Sequence, residues 1–130
     1  MLQKLIYQIL EHDAGARDDM GSQPRMTPLF FHLLLSLSAG ARHGYAMMQE
    51  VEARTDGKIE VGPSSLYYAL GRLEDAGLIA EASGRADAEG PHEERRKYYA
   101  LTTIGRQRLE EETATLADIV THARAQGVLR

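Results

Sequence analysis

The spacing of apolar residues predicts a series of helices joined by short polar connections. Apolar residues recur every three or four positions between residues 2 and 12, which predicts a short amphipathic helix. Residues 29–37 are almost wholly apolar, so a buried core helix is expected over residues 28–38. Further helices are predicted at residues 44–55, from residue 64 onward, and at residues 103–126.

Residue types at the predicted helix ends support this division. Thr27 precedes Pro28, a pair typical of an N-cap followed by the first helical residue. Either Ser64 or Ser65 is expected to cap the helix that follows Gly62-Pro63, and Thr102 the last helix.

Two short apolar segments, residues 78–82 and 98–101, are separated by a polar stretch rich in turn residues. This order predicts a β-hairpin with a flexible tip. The complete pattern favours a mainly α fold with a small β-hairpin, a winged helix-turn-helix domain with a long C-terminal dimerisation helix. The expected divisions are an N-terminal helix and linker at 1–25, the winged domain at 26–102 and the dimerisation helix at 103–130.

Composition excludes several classes of protein. The chain has 130 residues, 43% of them hydrophobic and 26% charged, which is typical of one globular domain. It contains no cysteine, so disulfide scaffolds, cysteine nucleophiles and thiolate metal sites are excluded. No apolar run approaches the roughly 18 residues of a membrane span, and a cytoplasmic protein without a membrane is expected.

Catalytic and metal-binding chemistry finds no support in the pattern of residues. No phosphate-binding glycine loop, nucleophile elbow or paired-carboxylate motif is present, so neither an enzyme nor a cofactor is expected. Asp118 and His122 lie four residues apart on the predicted last helix, a spacing that suits two metal ligands on one face. Two ligands without a third are weak evidence, and no metal site is predicted.

Charge is distributed unevenly along the chain. The net charge of −4 arises at the two ends, because residues 25–108 carry as many basic as acidic side chains. A balanced central segment can still present a basic face, so the overall sign does not exclude DNA as a partner.

The predicted helix after Gly62 has the properties of a DNA-reading helix. Small hydroxyls and an aromatic hydroxyl lie near its start, where free backbone N–H groups suit a phosphate oxygen. Arg72 lies four residues after Tyr68, on the same face of the helix. A basic run lies at the base of the second strand. The residues expected to contact DNA are Ser64, Ser65, Tyr68, Arg72, Arg85, Arg95, Arg96 and Lys97.

Most of these residues also have a purely structural interpretation. Arg72 can pair with acidic neighbours, and the basic residues at 95–97 can form a solvated strand end. Tyr67 and Tyr68 are adjacent and point to different helix faces, so we expect Tyr67 to pack in the core. His43 is expected to begin a helix or to pack rather than to act as a sensor.

Four stretches of sequence resemble one known family. They are HGY at 43–45, GPSSLYYAL at 62–70, LEDAGLI at 73–79 and RKYYALTTIG at 96–105. They resemble the PadR family of bacterial transcriptional regulators, over roughly residues 28–125, and the single C-terminal helix resembles its short subfamily. The resemblance implies a homodimeric winged-helix repressor that responds to a small molecule or another cue. Ser64 stands where the family often has Gly, and residues 1–25 lie outside the family core.

Dimerisation and regulation are expected to involve the last helix. Leu109, Leu116 and Ala123 are seven residues apart and, with Val120, predict a seam that faces a second copy. Phe30 and Phe31 on the apolar helix are the candidate lining of a small-molecule pocket against that helix. The alternative is a fully packed interface, in which case the helix at 2–12 becomes the candidate for regulation through a protein partner.

The sequence therefore predicts a sequence-specific DNA-binding transcriptional regulator, a dimeric repressor on a pseudo-palindromic operator. The alternative is a winged-helix protein-interaction module that does not bind DNA. The two hypotheses differ in whether the predicted basic residues cluster in space. Those residues are Arg72, Arg85, Arg95, Arg96 and Lys97.

Overall fold

The computed structural model of the chain describes residues 23–82 and 97–130. The predicted helix at 2–12 and the polar stretch at 83–96 lie outside these residues. A 3-10 turn, Leu37–Ala39, directly follows the helix Pro28–Ser36. In chain order the elements are α1 (Pro28–Ser36), β1 (Arg42–His43), α2 (Gly44–Arg54), α3 (Pro63–Asp75), β2 (Ile79–Ala82), β3 (Tyr98–Leu101) and α4 (Thr103–Ala125).

Two of the predicted caps begin their helices as expected. The Thr27 hydroxyl accepts a hydrogen bond from the Phe30 amide at 3.1 Å, and Pro28 follows as the first helical residue. The Thr102 hydroxyl accepts from the Gly105 amide at 2.9 Å and begins α4. Each bond satisfies an amide that has no acceptor within its helix, which is why threonine is favoured there.

The core forms where α1, α2, α3 and α4 meet the sheet. Leu66, Leu70 and Leu73 follow the i, i+4, i+7 spacing that predicts the inner stripe of an amphipathic helix, and all three are buried in α3. On α2 the inward face consists of Gly44, Met47 and Val51. The spacing of apolar residues predicts Tyr45, Met48 and Val51 on one face. Val51 is buried and Met48 packs partly buried against the core, but Tyr45 is 53% exposed, so the prediction is wrong for Tyr45.

Among the residues that the structure describes, the sheet has three strands, where the sequence predicts a two-stranded hairpin. β3 lies in the centre and pairs antiparallel with β2 on one side and with β1 on the other. β1 contributes Arg42 opposite Tyr99 and His43 opposite Tyr98. The extra strand is only two residues long, too short to show a period-two pattern in the sequence, and the pairing partner lies more than fifty residues away.

A close joint connects the end of α3 to the start of α4. The Thr102 amide donates to the Leu78 carbonyl at 3.1 Å, and the Thr102 hydroxyl donates to the Gly77 carbonyl at 2.6 Å. Gly105 lies directly against the Leu78 backbone, so close that a Cβ there would be 1.8 Å from the Leu78 oxygen. Only glycine fits at this contact, which holds the two helices in a fixed relation.

Candidate nucleic-acid interface

The start of α3 is the centre of the candidate interface. Gly62 is the N-cap and Pro63 the first helical residue, and no side chain caps the helix. The prediction that Ser64 or Ser65 caps it is therefore wrong. Pro63 suits the first position because its φ is already helical and it has no N–H to satisfy. Both serines fall in the first turn and are exposed.

This arrangement leaves hydrogen-bond donors at the surface. The amides of Ser64 and Ser65 lie in the first turn, where no carbonyl of the same helix can accept from them. Their hydroxyls are exposed beside these amides. The helix dipole adds partial positive charge at this end. Such a helix start can bind one phosphate oxygen without any basic side chain.

Tyr68 and Arg72 continue the exposed face one and two turns further along α3. Tyr68 is 65% exposed, and the Arg72 guanidinium donates to its hydroxyl at 3.3 Å. The hydrogen bond aligns the two side chains along one face of the helix, as their spacing of four predicts. The hydroxyl and the guanidinium thus point outward as a connected pair of polar groups.

Two tyrosines that the sequence analysis did not select also lie near the helix starts. Tyr45 in the first turn of α2 and Tyr67 on α3 are each 53% exposed. The prediction of a core-directed Tyr67 is therefore wrong. Its ring lies over Gly44, where an added Cβ would be 3.0 Å from the Tyr67 hydroxyl. Because His43 is the N-cap, α2 begins at Gly44, and this starting point turns Tyr45 toward the surface. The capping histidine is the sequence signal from which the exposure of Tyr45 could have been predicted.

His43 plays the structural role that was expected. Its Nδ1 accepts a hydrogen bond from the Ala46 amide at 3.1 Å, and it is the N-cap of α2. Its ring packs edge-on against Tyr98 of β3, with centroids 5.3 Å apart. One side chain therefore both begins α2 and contacts the central strand.

A buried polar network fixes α2 against α1. Arg54 of α2 donates to the His32 Nδ1 at 3.1 Å and to the Ser36 hydroxyl at 3.0 Å. Glu50 lies 3.8 Å from Arg54 and accepts from Arg42 at 2.8 Å. Since arginine can only donate, His32 accepts as a neutral ring. Burial, and secondarily the charge of Arg54, lowers the pKa of His32 from 6.5 to about 4.

At the base of the hairpin, Lys97 lies beside β2. Its ammonium is 3.6 Å from the Glu81 carboxylate, and the two side chains are 63% and 52% exposed. An exposed pair of this kind contributes little stability, so Lys97 can exchange this partner for a phosphate at small cost. Arg85, Arg95 and Arg96 lie outside the described residues, so the predicted basic cluster remains a prediction.

The electrostatic character of the helix-turn-helix is acidic. Residues 44–76 contain three basic and six acidic side chains. Within this range Glu50 is neutralised locally, because it pairs with Arg54 and with Arg42. Long-range attraction to phosphates is therefore weak here, and the exposed donors of α3 are mostly uncharged hydroxyls and amides.

Three of the four residues predicted for dimerisation are buried on α4 within one chain. Leu109, Leu116 and Val120 are 5%, 5% and 8% exposed, and Ala123 is half-buried. Leu109 and Leu116 belong to the core cluster that also contains α1. These leucines already pack within their own chain, so their role in a seam between two copies remains a prediction.

The residues predicted for a ligand pocket are also in the core. Phe30 and Phe31 are 9% and 7% exposed and belong to the same cluster. A ligand between these rings and α4 remains a prediction. Within residues 23–82 and 97–130, no helix is long and apolar enough to cross a membrane. In the same ranges no three potential ligand side chains are grouped to hold a metal ion, and Asp118 and His122 are both exposed.

The arrangement of α2, a turn, an exposed α3 and a small antiparallel sheet defines a winged helix-turn-helix protein. The model of the PadR-like family of transcriptional regulators matches residues 33–111. The chain belongs to this family, and the resemblance of its motifs is confirmed.

Comparisons with individual proteins agree with this assignment. The chain is 31% identical over 78 residues to an uncharacterized protein of Lysinibacillus sphaericus, covering 60% of this chain and 68% of the relative. It is 36% identical over 85 residues to an uncharacterized protein in a Streptomyces fradiae transposon, covering 65% of this chain but only 22% of that protein.

Solved structures show the same fold. A PadR-like transcriptional regulator of Bacillus cereus is 26% identical with a TM-score of 0.63, over 75% of this chain and 89% of that one. Bacillus subtilis PadR, solved in complex with operator DNA, is 24% identical with a TM-score of 0.54, over 65% of this chain and 46% of that one.

Proposed function

We propose that this protein is a sequence-specific DNA-binding transcriptional regulator that represses its target as a homodimer. The observation that carries the proposal is the outer face of α3, where the uncapped helix start presents Ser64 and Ser65 and the hydrogen-bonded pair Tyr68 and Arg72 follows along the helix. Family membership supports it, as does the fold shared with a PadR protein solved on operator DNA.

In this proposal the exposed residues have distinct roles. The amides and hydroxyls of Ser64 and Ser65 hold a phosphate and set the position of α3 in the major groove. Arg72, aligned by Tyr68, reaches a guanine edge, and a bidentate contact of this kind discriminates bases by about 1–3 kcal/mol. Lys97 leaves Glu81 for a phosphate, and Arg85, Arg95 and Arg96 extend this contact to the neighbouring backbone.

The test begins with selection of bound DNA from a random pool by the purified protein. Two half-sites about one helical turn apart are expected, because two copies present two α3 helices. Binding of Arg72→Ala to the selected site and to a site with one altered base pair is then compared. Preference between the two should fall by a factor of about 5–150.

Two further variants serve as controls. Lys97→Ala should weaken both sites by a similar factor, because a phosphate contact carries no base information. Arg124→Ala removes an exposed guanidinium at the far end of α4 and should change neither affinity. If Arg72→Ala and Lys97→Ala lose affinity equally on both sites, Arg72 acts only on phosphate and the proposed specificity is wrong.

The acidic helix-turn-helix favours a second candidate function, a winged-helix protein-interaction module. Six acidic against three basic residues in 44–76 are unfavourable near a polyanion. Failure of the selection to enrich any sequence, at low as well as moderate salt, would support this module and contradict the regulator.

Homodimerisation is part of the proposal and has its own test. Leu116→Glu is a poor test of a seam, because Leu116 is buried within one chain and the charge would unfold it. Sedimentation equilibrium of the unaltered chain over a hundredfold range of concentration measures the assembly directly. A monomer mass throughout this range would contradict the dimer.

We also propose that a small molecule releases the DNA by entering beside Phe30 and Phe31. Both rings are packed, so a ligand there must shift α1 against α4 and thereby alter the spacing of two α3 helices. Indole and phenol are suitable probes of the bound complex. Release that is weakened in Phe31→Leu supports this site, and equal release in the variant and the parent would contradict it.

A further inference from the structure

A cleft lies between one face of α2 and residues 60–62, the segment that leads into α3. Its volume is about 530 Å³, and small-molecule sites in proteins occupy about 300–1,000 Å³. The cleft shares no residue with the rings of Phe30 and Phe31 or with the inner face of α4. The α2 side consists of Tyr45, Met48, Gln49 and Glu52, and the other side of Glu60, Val61 and Gly62.

Both sides of the cleft are held in place by the fold. The buried Thr55 hydroxyl accepts a hydrogen bond from the Ile59 amide at 3.1 Å, and the Thr55 carbonyl accepts from the Lys58 amide at 3.0 Å. Met48, Ile59 and Val61 pack partly buried against the core. The cleft is therefore formed before any ligand arrives, as is usual for small-molecule sites.

The cleft carries negative charge without a counter-charge. Glu52 comes from α2 and Glu60 from the facing segment, and neither carboxylate forms an ion pair or hydrogen bond with the parts of the chain that the structure describes. Of the described residues, none with a basic side chain lines the cleft. An anion is repelled at such a site, whereas a cation close to both carboxylates is attracted.

An aromatic ring and a thioether provide the apolar surface of the cleft. Tyr45 is 53% exposed and Met48 half-buried. The face of a tyrosine ring attracts a cation through its quadrupole, and a methionine side chain adapts to apolar groups of different shape. Exposed carboxylates bind weakly by charge alone. Affinity therefore requires a ligand that combines a positive head with an apolar body.

We propose that this cleft binds a small organic cation, an ammonium or amidinium group on an aromatic or aliphatic body. The head lies near Glu52 and Glu60, and the body packs against Tyr45 and Met48. Gly62 belongs to the cleft and is also the N-cap of α3. The ligand therefore lies beside the helix start that is exposed for contact with a partner.

Two probes of similar shape separate the effect of charge from that of apolar contact. Phenethylamine is a cation at pH 7, and phenethyl alcohol is its uncharged analogue. Each is titrated into the nitrogen-15-labelled full-length protein, and the amide shifts are followed by NMR. The amine should shift amides of residues 45–52 and 60–62 in a saturable way, with about tenfold higher affinity than the alcohol. Equal affinities, or shifts centred on α1 and α4, would overturn the proposal.

Substitutions that keep the shape of the cleft test the two carboxylates. Glu52→Gln and Glu60→Gln should each weaken the amine several-fold and leave the alcohol unchanged. The matched control is Glu111→Gln, which removes an exposed carboxylate on α4 and should alter neither affinity. A loss in the control as large as in the two cleft variants would show that only the net charge of the protein matters, and the proposed site would be wrong.

The tyrosine ring provides an independent readout. Tyr45→Leu should weaken the amine several-fold, whereas Tyr45→Phe keeps the ring and should bind it like the parent. Unchanged affinity in Tyr45→Leu would contradict the proposed contact. No titration contains DNA, so the result is independent of the proposed regulatory function.

Discussion

Substitution of Gly105 by alanine tests the joint between α3 and α4. The added Cβ would lie 1.8 Å from the Leu78 oxygen and 2.8 Å from the Leu78 carbonyl carbon. Both are backbone atoms, so no side-chain rotation relieves the overlap. To reach an ordinary carbon–oxygen contact, the start of α4 must move away from the α3–β2 connection by well over an ångström.

The expected cost follows from what this movement disrupts. It breaks the bonds from Thr102 to the Leu78 and Gly77 carbonyls, now 3.1 and 2.6 Å long, each contributing about 1 kcal/mol. Overpacking adds about 1–3 kcal/mol. Alanine in a helix offsets about 1 kcal/mol of this. We therefore expect Gly105→Ala to lower the free energy of unfolding by about 3 kcal/mol.

Urea denaturation followed by circular dichroism at 222 nm measures this change. Gly71→Ala is the matched control, because Gly71 lies inside α3 and nothing is within 4 Å of its added Cβ. It should raise the free energy of unfolding by up to about 1 kcal/mol. If Gly105→Ala is as stable as the parent, or gains stability as Gly71→Ala should, the account of the joint is refuted.

Three further changes in stability are expected. The folded state lowers the pKa of His32 from 6.5 to about 4, so the stability that the neutral ring contributes is complete above pH 6.5 and is lost as the pH falls toward 4. The free energy of unfolding should therefore drop by about 2 kcal/mol between pH 7 and pH 5. In His32→Gln this part of the dependence of the urea midpoint on pH should be absent. Thr102→Val keeps the shape but removes the cap and the bond to Gly77, costing about 1–2 kcal/mol, whereas Thr103→Val, at an exposed neighbour, should cost less than about 0.5 kcal/mol by the same measurement. Met47→Ala leaves a cavity beneath α2 and should cost about 2–5 kcal/mol; thermal unfolding at the parent midpoint would contradict the burial of Met47.

Local chemistry made much of the fold predictable from the sequence. The capping residues Thr27 and Thr102 accept hydrogen bonds from amides three positions further along the chain, so the helix starts can be predicted from neighbouring residues. The leucines of α3 follow a regular period and all lie inside. β1 could not be predicted in this way, because two residues form a strand only when β3 supplies the hydrogen bonds.

The candidate interface was predictable to a similar extent. Tyr68 and Arg72 lie on the face of α3 opposite its buried stripe, and there Tyr68 is exposed and Arg72 half-buried. The exposure of Tyr45 depends on where α2 begins, and a shift of one residue rotates the helix by about 100°. The leucines of α4 have the spacing of a seam with another helix, and spacing alone does not distinguish a helix of the same chain from that of a second copy.

The short strand β1 has a consequence for how the proposed regulator would recognise DNA. β1 joins directly to α2 at His43 and is hydrogen-bonded to β3, the central strand of the wing. The helices and the base of the wing are therefore connected as one unit rather than as two hinged parts. A unit in which α3 and the wing keep a fixed distance favours DNA sites whose grooves already have the matching width, and sequences that must be deformed to fit bind more weakly. Base pairs that no side chain touches would then contribute to operator choice through the stiffness of the DNA.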